Sequence, residues 1–209
     1  MGFEPKIEIV NDNKEKQLTY AEQKKRYSLA MKYGFYYEAL LIDYALMEDR
    51  LKAILYHMGM IAERTNINLW EKNRPFVKIV VADALGEENA ERLGLSNISA
   101  KTKIIKSIIK WASEAESQET EKRFAVLRKQ CESLDAELLL ETLDQIDEWC
   151  KWRNEIIHGL MHRKTKRVAD IVPELAQDGM EFVKVLDAQE RIIKKGNLIR
   201  KSANLRVDR

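Results

Sequence analysis

Apolar residues recur at helical spacing through most of the chain, and the clearest stretch lies between Phe35 and Met58. There Tyr37, Leu41, Tyr44, Leu51, Leu55 and Met58 follow at steps of three, four and seven, the stripe of a long packed helix. Glu48 sits in the gap of that stripe. Upstream, Thr19 as N-cap with Glu22 three residues on predicts a helix to about Tyr33, where Gly34 breaks or kinks it. Residues 65–75 hold Thr65, three Asn and Pro75, which predicts a loop before a shorter element from Phe76 to Leu85. The run Lys78 to Leu85 suits helix or strand. Between Ser99 and Ala112, Ile104, Ile105, Ile108, Ile109 and Trp111 alternate with Lys101, Lys103, Lys106 and Lys110. That is a basic amphipathic helix, expected to pack its isoleucines and keep its lysines in water, with membrane-surface or RNA contact as the alternative. Further helices are predicted over Glu119–Cys131, from Asp135 onward, and from Met180 to about Lys201 after a break around Pro173 and Gly179.

These elements add up to an all-α bundle of five to seven helices. The polar first 18 residues read as a loose arm, and residues 19–209 as a single helical domain with a C-terminal helix. Composition agrees: the 209 residues are 45% hydrophobic and 33% charged with only 8 Gly and 3 Pro, a texture of long helices rather than of turn-rich sheets. No run approaches the roughly 20 apolar residues of a membrane span, and Met1–Lys6 lacks the apolar core of a signal peptide, so a cytoplasmic protein without membrane contact is expected. Cys131 and Cys150 lie far apart without CxxC spacing and read as buried reduced thiols. The net charge of +2 hides an uneven spread: residues 113–150 carry 4 basic against 11 acidic side chains, and residues 151–209 carry 14 against 8. A basic C-terminal third suits phosphates, although such asymmetry also occurs on surfaces that bind nothing.

The helix starting near Asp135 carries the chemistry. Leu139, Leu143, Ile146, Cys150, Ile157 and Leu160 form its apolar seam, and Arg153 interrupts it. An arginine on such a seam must find an acceptor or reach solvent, because an unpaired buried charge is costly. Asn154 and His158, four residues apart, share the helix face beside it. The structural explanation for these residues is that Arg153 pairs with a core carboxylate and His158 caps a helix end. The alternative is that these residues form a chemical site. A histidine can both take and return a proton near neutral pH, and a planar guanidinium can meet negative charge with paired hydrogen bonds.

At Arg153-Asn154 and His158 the chain resembles the HEPN family, helical domains marked by Arg, four to six residues, then His, often with Asn, Asp or His directly after the Arg. Arg50 and His57 satisfy the loose spacing too, but Leu51 follows Arg50; requiring a particular residue there makes accidental matches about twentyfold rarer. The tyrosine-rich helix around Leu46-Met47-Glu48-Asp49-Arg50-Leu51 is similar to the first core helix of such domains, so the resemblance spans about residues 35–160. It implies a metal-independent endoribonuclease of toxin or defence type, working as a homodimer, with an antitoxin or nucleotidyltransferase as a further partner. Arg153 would stabilise the phosphate, His158 act as acid and base, Asn154 orient His158 or the phosphate, and Glu48 hold Arg153 or the imidazole. Arg163, Lys164, Lys166 and Arg167 would contact RNA phosphates, or form a solvated basic loop. Trp149 and Trp152 are expected in the core rather than stacked on bases. His158 and His162 at i and i+4 have no further ligands to complete a metal set, so neither metal nor other cofactor is expected. A catalytically silent helical module that binds nucleotide, RNA or a partner protein through the same face is the competing function.

Overall fold

The computed structural model describes residues 13–62, 69, 71–91, 94–114, 122–159 and 165–196. Among them every regular element is helical: α1 (Asn13–Tyr33), α2 (Tyr36–His57), α3 (Arg74–Leu85), α4 (Glu87–Glu91), α5 (Ile98–Ser113), α6 (Lys122–Cys131), α7 (Ala136–Gly159) and α8 (Thr165–Gly196), with a 3-10 turn over Glu71–Asn73. The all-α expectation therefore holds, and the ambiguous run from Lys78 resolves as helix. None of the described helices is long and apolar enough to cross a membrane.

Local chemistry sets many of the boundaries. Gly34, at φ 77°, makes the left-handed turn between α1 and α2 that residues with a Cβ adopt only at a cost. Pro75 lies in the first turn of α3, where its missing N–H is no loss. The side chain of Asn97 accepts from the Ala100 amide at 2.8 Å and starts α5; Asp135 accepts from the Leu138 amide at 3.1 Å and starts α7. At the other end of α5, Arg128 from α6 donates to the carbonyls of Trp111, Ala112 and Glu114.

α2 lies at the centre, packed on α8, α1 and α5, while α7 closes the bundle against α5 and α8. Buried apolar residues from these helices form one continuous core that includes Leu51, Ile54, Ile105, Ile108, Leu143, Ile146, Val183 and Leu186. Charged side chains tie the layers together. Asp147 of α7 accepts from Ser99, Thr102 and Lys106 of α5 at 3.0, 2.7 and 2.6 Å. Lys101 of α5 is fully buried and donates to Glu48 of α2 and to the carbonyls of Leu95 and Asn97, so all three of its donors are used. The lysines of α5 are therefore not one solvated face: Lys103 and Lys110 are exposed, but Lys101 and Lys106 hold neighbouring helices.

Three further expectations are corrected. α1 begins at Asn13 rather than Thr19; Thr19 lies inside the helix, its hydroxyl donating to the Glu15 carbonyl at 2.9 Å. The part of the loose arm before residue 13 lies outside the described residues. The stripe on α2 is buried only in its second half: Leu51, Leu55 and Met58 are in the core, but Tyr37 and Leu41 are exposed. α8 runs unbroken through Pro173 and Gly179. An internal proline costs about 3 kcal/mol, but each fully buried apolar side chain returns about 1.5–3 kcal/mol, and α8 buries Val172, Leu175, Met180, Val183, Leu186 and Ile193. Side-chain donors also pin this stretch: Trp149 Nε1 bonds to the Leu175 carbonyl at 2.7 Å and the Tyr27 hydroxyl to that of Ala176 at 2.9 Å.

Candidate functional site on the last turns of α7

The buried face of α7 comprises Leu139, Thr142, Leu143, Ile146, Trp149, Cys150 and Ile156. Continued at helical spacing, that face would bury position 153, and Arg153 is half-buried there. Its guanidinium lies over the ring of Tyr44 of α2, 4.7 Å from the centroid, and its Nη1 donates to Asn154 Oδ1 at 3.1 Å. Its Nε is buried without a hydrogen-bond partner, and no carboxylate among the described residues pairs with it. Asn154 and His158 are exposed on the neighbouring face, His158 in the last turn of the helix.

Glu48 is on the same face of α2 as Tyr44, one turn further on, yet it is engaged elsewhere. Its carboxylate meets Lys52 and Lys101, each at 3.1 Å. Burial raises the Glu48 carboxyl, but the two ammonium groups outweigh that and leave it below the ordinary range. The structure thus brings Arg153 and Asn154 together, sets His158 on the face of Asn154, and gives the holding of Arg153 to Tyr44, with Glu48 placed on the lysines. Sequence reading placed Tyr44 on the stripe but gave it no role; its spacing of four from Glu48 was the available signal. Burial raises the Tyr44 phenol above its ordinary value, Glu48 adds to the rise, and Arg153 opposes it.

The tryptophans separate. Trp149 is buried, as expected, whereas Trp152 is 50% exposed, because the buried face turns toward Ile156 and carries position 152 outward. Leu160, His162, Arg163 and Lys164 lie outside the described residues; Lys166 and Arg167 belong to α8, but their side chains lie outside them too. Cys131 and Cys150 are free and buried, and burial pushes both thiols up to about 12. Among the described residues no three His, Cys, Asp or Glu side chains group as metal ligands would.

The other arginine–histidine pair has a different environment. Arg50 and His57 are seven residues apart, two turns of α2, and both are buried facing α8. Arg50 meets Glu190, Asp187 (3.2 Å) and Asp49 (3.0 Å), and its guanidinium lies 4.1 Å over the Tyr20 ring. His57 Nε2 is 3.5 Å from Glu190. Arg50 is a neutralised core charge; Arg153 is not. A third polar group, Asp43, is wholly buried where α2 crosses α8, with both carboxylate oxygens unpartnered. Burial pushes its carboxyl up to about 8. A Cβ on Gly179 would lie 2.8 Å from Asp43 Oδ2 and 2.9 Å from its Cβ, so this glycine permits the close approach of the two helices.

Comparison of the chain with protein-family models, with curated proteins and with solved structures finds no match in any of the three.

Proposed function

We propose that the chain is a metal-independent endoribonuclease of the HEPN type, of toxin or defence kind, acting in the cytoplasm as a homodimer. One observation carries this reading: Arg153 is held by an aromatic ring and an amide and has no carboxylate partner among the described residues, while Asn154 and His158 stand exposed beside it. An arginine with a structural role would resemble Arg50, enclosed by carboxylates. A guanidinium left with net charge at a surface is suited to an anion.

In this mechanism the 2′-hydroxyl oxygen attacks the adjacent phosphorus and the bond to O5′ breaks. His158 of one chain accepts the 2′-hydroxyl proton, and His158 of the second chain donates a proton to O5′. Arg153 meets the charge on the equatorial oxygens, and Asn154 holds the guanidinium edge. Helix geometry favours a two-chain arrangement: positions 153 and 158 point about 140° apart on one helix, so a single chain presents them poorly to one phosphate. The surface supports it as well. Tyr37 and Leu41 share the Tyr44 face of α2, Leu41 is 53% exposed, and Trp152 adjoins Arg153, so apolar surface flanks the site and would be covered by a second copy.

The product ends test the mechanism. Structured RNA incubated with the protein in excess chelator should be cut to fragments with 2′,3′-cyclic phosphate and free 5′-hydroxyl ends. Fragments with 5′-phosphate and 3′-hydroxyl ends would contradict attack by the 2′-hydroxyl.

A further inference from the structure

A cavity of about 480 Å³ opens between α1 and α8, on the side of α2 that carries Arg50 rather than Tyr44. Five cationic side chains line it against two carboxylates, Asp187 and Glu190. Both carboxylates are already engaged: each accepts from Arg50, Asp187 also from Arg191 at 2.7 Å, and Glu190 faces His57. The donors are in surplus. Lys16 is shared with Asp49 at 2.6 Å, but Lys24 has only the Tyr20 ring, 5.1 Å away, and Lys194 has no ion-pair partner among the described residues. Arg50 Nε and the Tyr20 hydroxyl, on two of the lining residues, are buried beneath this wall without an acceptor.

We propose that this cavity binds a small free polyphosphate compound, with Lys24 and Lys194 contacting its phosphates from α1 and α8 and Arg50 forming the floor. The donor surplus selects an acceptor-rich anion, and lysines on opposite walls select one with more than one charged group. The volume falls within the range of small-molecule clefts and exceeds what a single inorganic phosphate fills. None of these residues belongs to the Arg153 site, so binding here is separable from RNA cleavage.

Calorimetric titration with tripolyphosphate at fixed ionic strength tests the assignment, with sulfate as comparator. The expected result is saturable binding of one tripolyphosphate per chain that sulfate at equal ionic strength does not reproduce. The double substitution Lys24→Ala and Lys194→Ala should weaken it by roughly tenfold or more, while Lys78→Ala with Lys110→Ala, exposed lysines elsewhere, should leave it unchanged. Arg191→Ala, at another exposed cavity position, provides a second variant and should also weaken binding. Absence of saturation, equal weakening by the remote pair, or binding of a short single-stranded RNA at Lys24 and Lys194 in place of tripolyphosphate would overturn the proposal.

Discussion

Arg153 and Arg50 show how two residues of one type, each spaced from a histidine in a similar way, come to lie in different surroundings. Carboxylates from α2 and α8 surround Arg50, whereas Arg153 rests on Tyr44. The sequence marked Arg153 as anomalous on an apolar seam, but its support comes from a helix about a hundred residues away, and no local pattern announces such a contact. The stack gives a prediction. Tyr44→Phe keeps the ring and should keep cleavage, while Tyr44→Ala should lower kcat/KM by roughly tenfold, the size of a partly desolvated cation–π contact; equal activity of the two variants would remove Tyr44 from the site. Asp43 yields a second prediction, independent of function. Its carboxyl titrates near 8 in the fold against 3.8 ordinarily, so the folded state holds a proton that the unfolded state has released between those values. The stabilisation is complete below pH 3.8 and is lost as pH rises toward 8, by at most about 1.4 kcal/mol per pH unit. Denaturant midpoints of wild type should therefore fall from pH 5 to 8 relative to Asp43→Asn, and parallel pH profiles would show that Asp43 titrates normally.

At the level of elements, periodicity located most helices, because amphipathic burial is written locally. It failed where a long-range contact overrides a local preference. Pro173 and Gly179 are conventional signs of a helix end, yet α8 continues through both because its apolar face is buried along that stretch. The lysines of α5 looked alike in sequence, and only the placement of Glu48, Asp144 and Asp147 on neighbouring helices divides them into two ion-paired anchors and two exposed charges. The α2–α8 crossing is the tightest of these dependencies. Gly179→Ala would drive a methyl into Asp43, whose own Cβ is fixed to its backbone and cannot swing aside. Thermal unfolding should show a loss of about 1–3 kcal/mol, the cost of overpacking a closed interface. An unchanged midpoint would mean that the helices separate there without cost.

For the whole molecule, the sequence conveyed the helical class and singled out Arg153, Asn154 and His158 on α7, but not the cavity between α1 and α8, whose lining residues come from positions 16–24, 50 and 187–194 and carry no motif. The proposed mechanism uses two chains, so sedimentation at micromolar concentration should give about twice the chain mass of 24.4 kDa. A monomer that cuts RNA at full rate would remove the two-histidine mechanism. The most direct measurement is the rate of RNA cleavage in excess chelator by wild type, His158→Ala and Arg153→Ala, each first shown by circular dichroism to keep its helices. Wild type should cut, and both variants should lose about a hundredfold or more of the rate while remaining folded; a clean wild-type protein that cuts no RNA, or a His158→Ala protein that cuts as fast as wild type, would contradict the assignment.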